Sequence, residues 1–392
     1  MIDRFNRFRD LLTEQEERKF HSINLIASEN AISETARLLQ ASVLGNRYIL
    51  DDFPNNGQLF QVAEDTRELL KMMFGAQHVS IAPISGMNCM ELLISSLTKP
   101  GDSIYVLNPN DGGHGSTEKI CKINALQIYH VPFDSVKGVI DIDKVEAAFK
   151  EHQPHLIYLD NTIILFYSDI KTLKAIAARY GAPVIYDASH VLGLIAGDAF
   201  PNPLQDNADI LNGSTHKTFF GPQKGVIIAN SEQLIKKIDG LAIDFISSTH
   251  TGSILALYVA TIEMAQYGHE YARQVVRNAK ALGHALINRG VKAQYPEFDI
   301  TQTHQVWIDT SPIHSQAAYR NLADARIHTN AIRIPSIRRE GLRLGTAEVT
   351  RMGMKEDEMD QIADFMAKIL LGGFSAESVR SDVVDFAKKY KI

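Results

Sequence analysis

The sequence predicts an α/β protein, with a mostly parallel central sheet flanked by helices and a smaller C-terminal α+β domain. Three observations carry this expectation. Short apolar runs alternate with helical patterns from about residue 60 to about residue 230. Those runs are apolar throughout, as strands covered on both faces must be, instead of alternating apolar and polar. After about residue 254 the texture changes to long helical patterns broken by short strands.

Taken in order, residues 4–20 carry Phe5, Phe8, Leu11, Leu12 and Phe20 among charges. That is an amphipathic helix whose apolar face suits another domain or a partner subunit. Residues 64–74 read as helix, 79–84 as a strand ending at Ser85-Gly86, and 87–97 as helix. Strands are expected over 103–107, 127–131, 156–160, 184–187, 209–211 and 226–229, with helices over 142–150 and 170–180 between some of them. Farther on, 254–267 and 271–289 read as two long helices, 305–309 and 342–344 as strands, and 356–371 and 376–389 as helices. The expected organisation is an N-terminal helix and arm (1–40), a large domain (41–265) and a small C-terminal domain (266–392). In sheets of this kind ligands bind beyond the carboxyl ends of the strands, where Ser85, Asp160, Asp187 and Ser214 fall.

At 392 residues the chain can bury a large core. A net charge of −6 without a long basic run excludes nucleic-acid binding by charge alone. Cys89 and Cys121 are the only cysteines, too few for a disulfide framework or a zinc cluster, and no metal site is expected. The N-terminus is charged and lacks an apolar signal core, and no apolar run approaches membrane-spanning length. These features lead to the expectation of a soluble cytoplasmic protein.

The chemistry concentrates around Lys217, in Gly213-Ser214-Thr215-His216-Lys217-Thr218-Phe219-Phe220-Gly221-Pro222. A lysine among small polar residues before a Gly-Pro turn can lie against a ligand, and desolvation would expose its amine for Schiff-base chemistry. A surface-loop lysine is the competing reading. Asp187 ends a buried strand, where a carboxylate needs a positive partner or several donors. The protonated ring nitrogen of pyridoxal phosphate would serve, and so would an ordinary capping role. His190 lies just past Asp187, and His216 adjoins Lys217. His114, in Asp111-Gly112-Gly113-His114-Gly115, could stack on a flat cofactor or be a satisfied loop histidine. Ser85-Gly86-Met87-Asn88 joins a strand to a helix, where free backbone amides can seat a phosphate. Arg343, on an alternating strand, can clamp a carboxylate bidentately or face solvent.

Four ordered blocks resemble the serine hydroxymethyltransferase family of fold-type-I, aminotransferase-like pyridoxal phosphate enzymes. They are Asn24-Leu25-Ile26-Ala27-Ser28-Glu29-Asn30, Asp187-Ala188-Ser189-His190, Ser214-Thr215-His216-Lys217-Thr218, and Arg343-Leu344-Gly345-Thr346 with Val349-Thr350-Arg351. The resemblance covers nearly the whole chain. It implies that Lys217 carries pyridoxal 5'-phosphate as a Schiff base, that Asp187 pairs with the ring nitrogen, and that His114 stacks on the ring. It places Thr162 and His190 near the ring hydroxyl, and Ser85, Gly86 and Ser214 on the phosphate. Arg343 and Ser28 would bind the amino acid carboxylate. Tyr48 would come from the partner subunit of a homodimer whose active site lies at the interface.

Several departures matter. Leu50, in Arg47-Tyr48-Ile49-Leu50-Asp51, stands where the family has its acid/base glutamate, and a leucine cannot transfer a proton. Asp51 and Asp52 are the nearby carboxylates. Met87 replaces a phosphate-binding serine. Phe245-Ile246-Ser247-Ser248-Thr249-His250-Thr251-Gly252 replaces the glycine-rich loop that the partner offers to the phosphate, and the folate-side patterns around residues 53–60 and 332–339 are altered. The resulting expectation is Cα–Cβ aldol or retro-aldol chemistry on a small amino acid, of aldolase or transaldolase type and without tetrahydrofolate. Folate-dependent hydroxymethyl transfer, a redirected racemase, aminotransferase or decarboxylase reaction, and a non-catalytic scaffold are the alternatives.

Overall fold

The structure, a computed structural model, describes residues 2–49 and 57–390. Residues Asn30–Arg273 form one compact unit, and Met1–Glu29 with Gln274–Ile392 form the other.

Among the described residues the first unit is built on a seven-stranded sheet: β1 (His78–Ser80), β2 (Ser103–Val106), β3 (Gln127–His130), β4 (Leu156–Leu159), β5 (Val184–Asp187), β6 (Ile210–Ser214) and β7 (Gly225–Ala229). Their order across the sheet is β1-β7-β6-β5-β4-β2-β3. From β3 to β6 all pairings are parallel, and β7 runs antiparallel to both β6 and β1. The expected mostly parallel sheet is therefore present. Strands β2, β4, β5, β6 and β7 are buried along their whole length, which explains why their sequences are largely apolar up to the strand ends. After β3 the chain crosses back to place β4 on the other side of β2. The switch point, where ligands bind in such sheets, therefore lies between the ends of β2 and β4.

Local chemistry accounts for the differences from expectation. The first strand is shorter than 79–84, because Pro83 cannot donate to a ladder; its carbonyl instead accepts from Gly225 N at 3.1 Å. Strand β6 extends past Leu211 through polar Asn212-Gly213-Ser214, because β7 pairs Val226 with Gly213 and Gly225 with Ser214.

Three helices bear on the site: α1 (Gly86–Leu97), α2 (Leu192–Ala196) and α3 (Thr251–Asn288). The two long helices expected over 254–289 are in fact the single helix α3. Gly268, inside α3, serves close packing. A Cβ on Gly197, just past α2, would lie 2.3 Å from Gly268 O, and one on Gly268 would lie 2.4 Å from Met264 Sδ.

The second unit carries an antiparallel sheet of β8 (Lys292–Ala293), β9 (Gln305–Asp309), β10 (Asn330–Ile334) and β11 (Arg339–Gly345), in the order β8-β9-β11-β10. Its core gathers Ile23, Leu25, Val306, Ile308, Leu342 and Leu344 with residues of the C-terminal helices. Segment Ile23–Asn24 pairs in parallel with Ile327–His328, which ties the N-terminal arm to this unit. The N-terminal helix Ile2–Phe20 exposes Phe5, Phe8, Leu11 and Leu12. No helix among the described residues is long and apolar enough to cross a membrane.

Gly197→Ala should destabilise the protein by about 1–3 kcal/mol, because the new methyl meets backbone that cannot move aside without disturbing α3. Urea unfolding of the two proteins side by side measures this.

Candidate active site

Asp187, the last residue of β5, is 7% exposed, and three donors surround its carboxylate. Ser189 N donates to Oδ1 at 2.8 Å, and Tyr158 OH and Asn212 Nδ2 each donate to Oδ2 at 3.0 Å. Tyr158 comes from β4 and Asn212 from β6, so the two parallel neighbours of β5 hold the acid from either side. The backbone donor closes a tight turn at Ser189, and the other two donors are buried side chains from the neighbouring strands.

Lys217 is half-buried on a tightly closed loop after β6. Thr215 Oγ1 donates to Pro222 O at 2.6 Å, Gly221 N to Thr215 O at 2.7 Å, and Asn30 Nδ2 to Lys217 O at 2.7 Å. Phe220 takes the left-handed conformation, φ 48°, against the edge of Tyr271. A bulky residue there is strained, and such strain persists only where the surroundings over-determine the loop. Thr218 Oγ1 donates to His190 O at 3.1 Å and accepts from Gly193 N at 3.0 Å, so the lysine loop and the Asp187–His190 turn are stitched together. A Cβ on Gly193 would lie 2.0 Å from Thr218 O, so only glycine permits this approach.

The anion seat forms where α1 begins. Ser85 caps α1, its Oγ accepting from Asn88 N at 3.1 Å, which leaves the Gly86 and Met87 amides ahead of the first intrahelical bond. A Cβ on Gly86 would lie 3.0 Å from Ser214 Cβ and 3.1 Å from Ser189 Oγ, so the helix start abuts the end of β6. Buried Ser214 Oγ and His216 Nδ1 find no protein hydrogen-bond partner among the described residues. Burial and the neighbouring Lys217 push His216 down to about 4, so its ring is neutral. A phosphate at the helix start and an aromatic cofactor carried by Lys217 fit this donor set. Met87 is half-exposed and offers a backbone amide, whereas its thioether supplies no strong donor.

His114 sits on a loop anchored at the switch point. Asp160, just past β4, accepts from Leu107 N at 3.1 Å, His114 N at 2.8 Å and Thr117 Oγ1 at 2.5 Å. Gly112, φ 106°, accepts from the amides of Thr162 and Ile163, both at 3.0 Å, which brings Thr162 to the His114 loop. Burial lowers the His114 pKa, with Lys217 acting in the same direction and Asp187 opposing them. Ser116 N donates to His114 Nδ1 at 3.1 Å, so the neutral ring carries its proton on Nε2.

In the second unit, Arg343 lies on β11, only 6% exposed, with a guanidinium nitrogen donating to Asn330 Oδ1 at 3.1 Å. Burial lowers it to about 10, still a cation at neutral pH. The solvent-facing alternative for this arginine is therefore excluded. The segment leading to Ser28 lies along the same strand: Gly345 N donates to Leu25 O at 2.8 Å, and a Cβ on Gly345 would lie 2.4 Å from Ala27 Cα. Tyr48 is 48% exposed, outside the buried cluster. Leu50, Asp51, Asp52 and the altered stretch from Phe53 to Asn56 lie outside the described residues.

The sequence pattern did not single out Tyr158, Asn212, Asn30 or Thr218, and it gave Asp160 no role. Each is a polar residue that looks ordinary in its own strand or loop and gains its partner only across the fold.

This is the chemistry of a pyridoxal phosphate enzyme on a doubly wound sheet. The serine hydroxymethyltransferase family profile matches residues 3–366. Serine hydroxymethyltransferase of Archaeoglobus fulgidus is 37% identical over 95% of this chain and 88% of its own length. Fluorothreonine transaldolase of Streptantibioticus cattleyicolor is 34% identical over 96% of this chain and 61% of its own. The crystal structure of L-threonine transaldolase from Pseudomonas fluorescens in internal aldimine state superposes with a TM-score of 0.95 at 28% identity, covering 99% of this chain and 92% of that one. The chain belongs to the serine hydroxymethyltransferase family. The expected family, fold and cofactor all hold.

Burial raises Asp160 to about 7, against the pull of its hydrogen bonds. Because the folded-state pKa lies above the unfolded one, this group's contribution to stability is full below about pH 4 and is lost as pH rises through about 7. The stability difference between wild type and Asp160→Asn should therefore shrink on going from pH 5 to pH 8, by at most about 1.4 kcal/mol per pH unit. Urea titrations across that range check it, and a constant difference contradicts it.

Proposed function

We propose that this enzyme cleaves and re-forms the Cα–Cβ bond of a small β-hydroxy amino acid of the threonine type, passing the Cα fragment between aldehydes without tetrahydrofolate. One observation carries the reading. The groups that would hold the cofactor are assembled and mutually braced, whereas the position where the family has its acid/base glutamate is Leu50. Two of the matching proteins bear the name transaldolase.

Pyridoxal phosphate bound to Lys217 would supply an electron sink for the bond broken at Cα. Asp187, fixed by Tyr158, Asn212 and the Ser189 amide, would be the residue to hold the ring nitrogen protonated. His114, with its proton on Nε2, would stack on the ring without adding charge. Thr162 and His190 would lie near the ring hydroxyl, and Ser85, Gly86, the Met87 amide, Ser214 and His216 would hold the phosphate end. Arg343, with Ser28, would bind the substrate carboxylate. Lys217, once displaced by the substrate amine, can return a proton to Cα. A leucine in place of the glutamate cannot transfer the proton that the family's glutamate would, which favours chemistry other than folate-linked hydroxymethyl transfer.

A second copy of the chain would complete the site. The exposed apolar face of helix Ile2–Phe20 and the exposed Tyr48 suit a homodimer in which Tyr48 reaches the partner's substrate. Folate-dependent serine–glycine exchange is the second reading, favoured by the name of the Archaeoglobus fulgidus relative.

Borohydride should fix the cofactor to wild type and not to Lys217→Ala, as followed by absorbance and mass. With threonine and an added aldehyde, wild type should form a new β-hydroxy amino acid at a rate indifferent to tetrahydrofolate. Serine turnover that requires tetrahydrofolate would overturn this in favour of the second reading. Asp187→Asn should retain cofactor yet lose about 10²-fold in kcat. Arg343→Lys should raise KM for the amino acid about tenfold, because a point charge cannot make the bidentate clamp.

A further inference from the structure

Lys224 is fully buried, in the turn that leads into β7, and the proposed reaction gives it no task. A buried ammonium is costly unless its donors are satisfied. Its Nζ donates to Thr249 O at 3.0 Å and Pro83 O at 3.2 Å. Pro83 precedes the Ser85–Gly86 joint. The next residue, Gly225, donates its amide to the same Pro83 carbonyl at 3.1 Å, and a Cβ on Gly225 would lie 2.5 Å from Ser85 O. On its backbone side Lys224 O accepts from Thr215 N at 3.0 Å, next to Ser214. Thr249 belongs to the 246–250 segment, which turns through His250, φ 54°, into α3. One side chain therefore holds two segments, and its own backbone holds the third strand end that frames the seat.

We propose that Lys224 is a positioning residue that locks the Ser85–Gly86 phosphate seat and the 246–250 segment into one frame, so that affinity for pyridoxal phosphate depends on it. This rests on the reading of Ser85–Gly86 as the phosphate seat. The charge on Lys224 adds a second dependence. Burial lowers its pKa to about 7, the Arg67 guanidinium acts in the same direction, and the Cys89 thiol opposes them. Beyond these, Asp239 acts on Arg67 and Asp187 acts on Cys89. Among the described residues no carboxylate is found to act on Lys224 directly. An incoming phosphate therefore favours the ammonium, and cofactor binding draws a proton onto it near neutral pH.

The test titrates pyridoxal phosphate into cofactor-free wild type, Lys224→Met and Lys224→Gln at pH 6.5 and 8.5. Hydrogen exchange of residues 83–87 and 246–250 is followed in the same cofactor-free proteins. Lys224→Met should bind the cofactor about tenfold more weakly at pH 6.5, the size of a lost charge-assisted hydrogen bond, and differ less from wild type at pH 8.5. Both segments should exchange faster in it, and Lys224→Gln, which keeps an amide donor, should fall between. Should Lys224→Met not fold, Lys224→Gln is judged by the same two readouts against wild type. Wild-type affinity at both pH values, or faster exchange in one segment only, overturns the proposal. Wild type that takes up no pyridoxal phosphate removes instead the reading of the seat on which it rests.

Discussion

Taking a carboxylate out of water at the end of a buried strand costs several kcal/mol unless donors replace the lost hydration. At Asp187 those donors come from both neighbouring strands and from the turn beyond, so the parallel register of β4, β5 and β6 is itself a condition of the site. Shifting β6 by one residue would turn Asn212 to the opposite face and leave the charge undercompensated. The Ser189 turn that satisfies the acid also supplies the hydroxyl that accepts from Ser214 N, and so carries the same constraint to the lysine loop.

The second recurring device is backbone brought against backbone at glycine. Gly193 admits the Thr218 carbonyl, Gly225 admits the Ser85 carbonyl, and Gly345 admits the chain at Ala27. Each sits next to a residue with a proposed role. Side chains adjust by rotation, whereas backbone contacts at these distances do not, so the loops that carry Lys217, Ser85 and Ser28 are positioned by main chain.

Much of this is legible in the sequence. Strand ends at Asp187 and Asp160, the constrained loop at Lys217 and the helix start after Ser85 all follow from local pattern, because each depends on residues adjacent in the chain. What is not legible depends on distant pairs. Tyr158 reads as one more aromatic in an apolar strand, and only the neighbouring strand makes it a donor to Asp187. Asn212-Gly213-Ser214 reads as a loop, and pairing with β7 makes it strand. Residues 254–267 and 271–289 read as two helices, and they form one, with Gly268 packed against the chain at Gly197 inside it.

The thiol of Cys89 lies at the back of the same arrangement, buried, its Sγ 3.6 Å from Val226 O. Burial and the nearby Asp187 hold it far from ionisation. A thiol kept protonated is a poor nucleophile toward disulfides, peroxides and alkylating agents. The carboxylate proposed to face the cofactor ring thus also keeps the nearby sulfur protonated. A cysteine placed almost against the reaction centre becomes a packing atom, and the folded enzyme is insensitive there to the redox state of its surroundings.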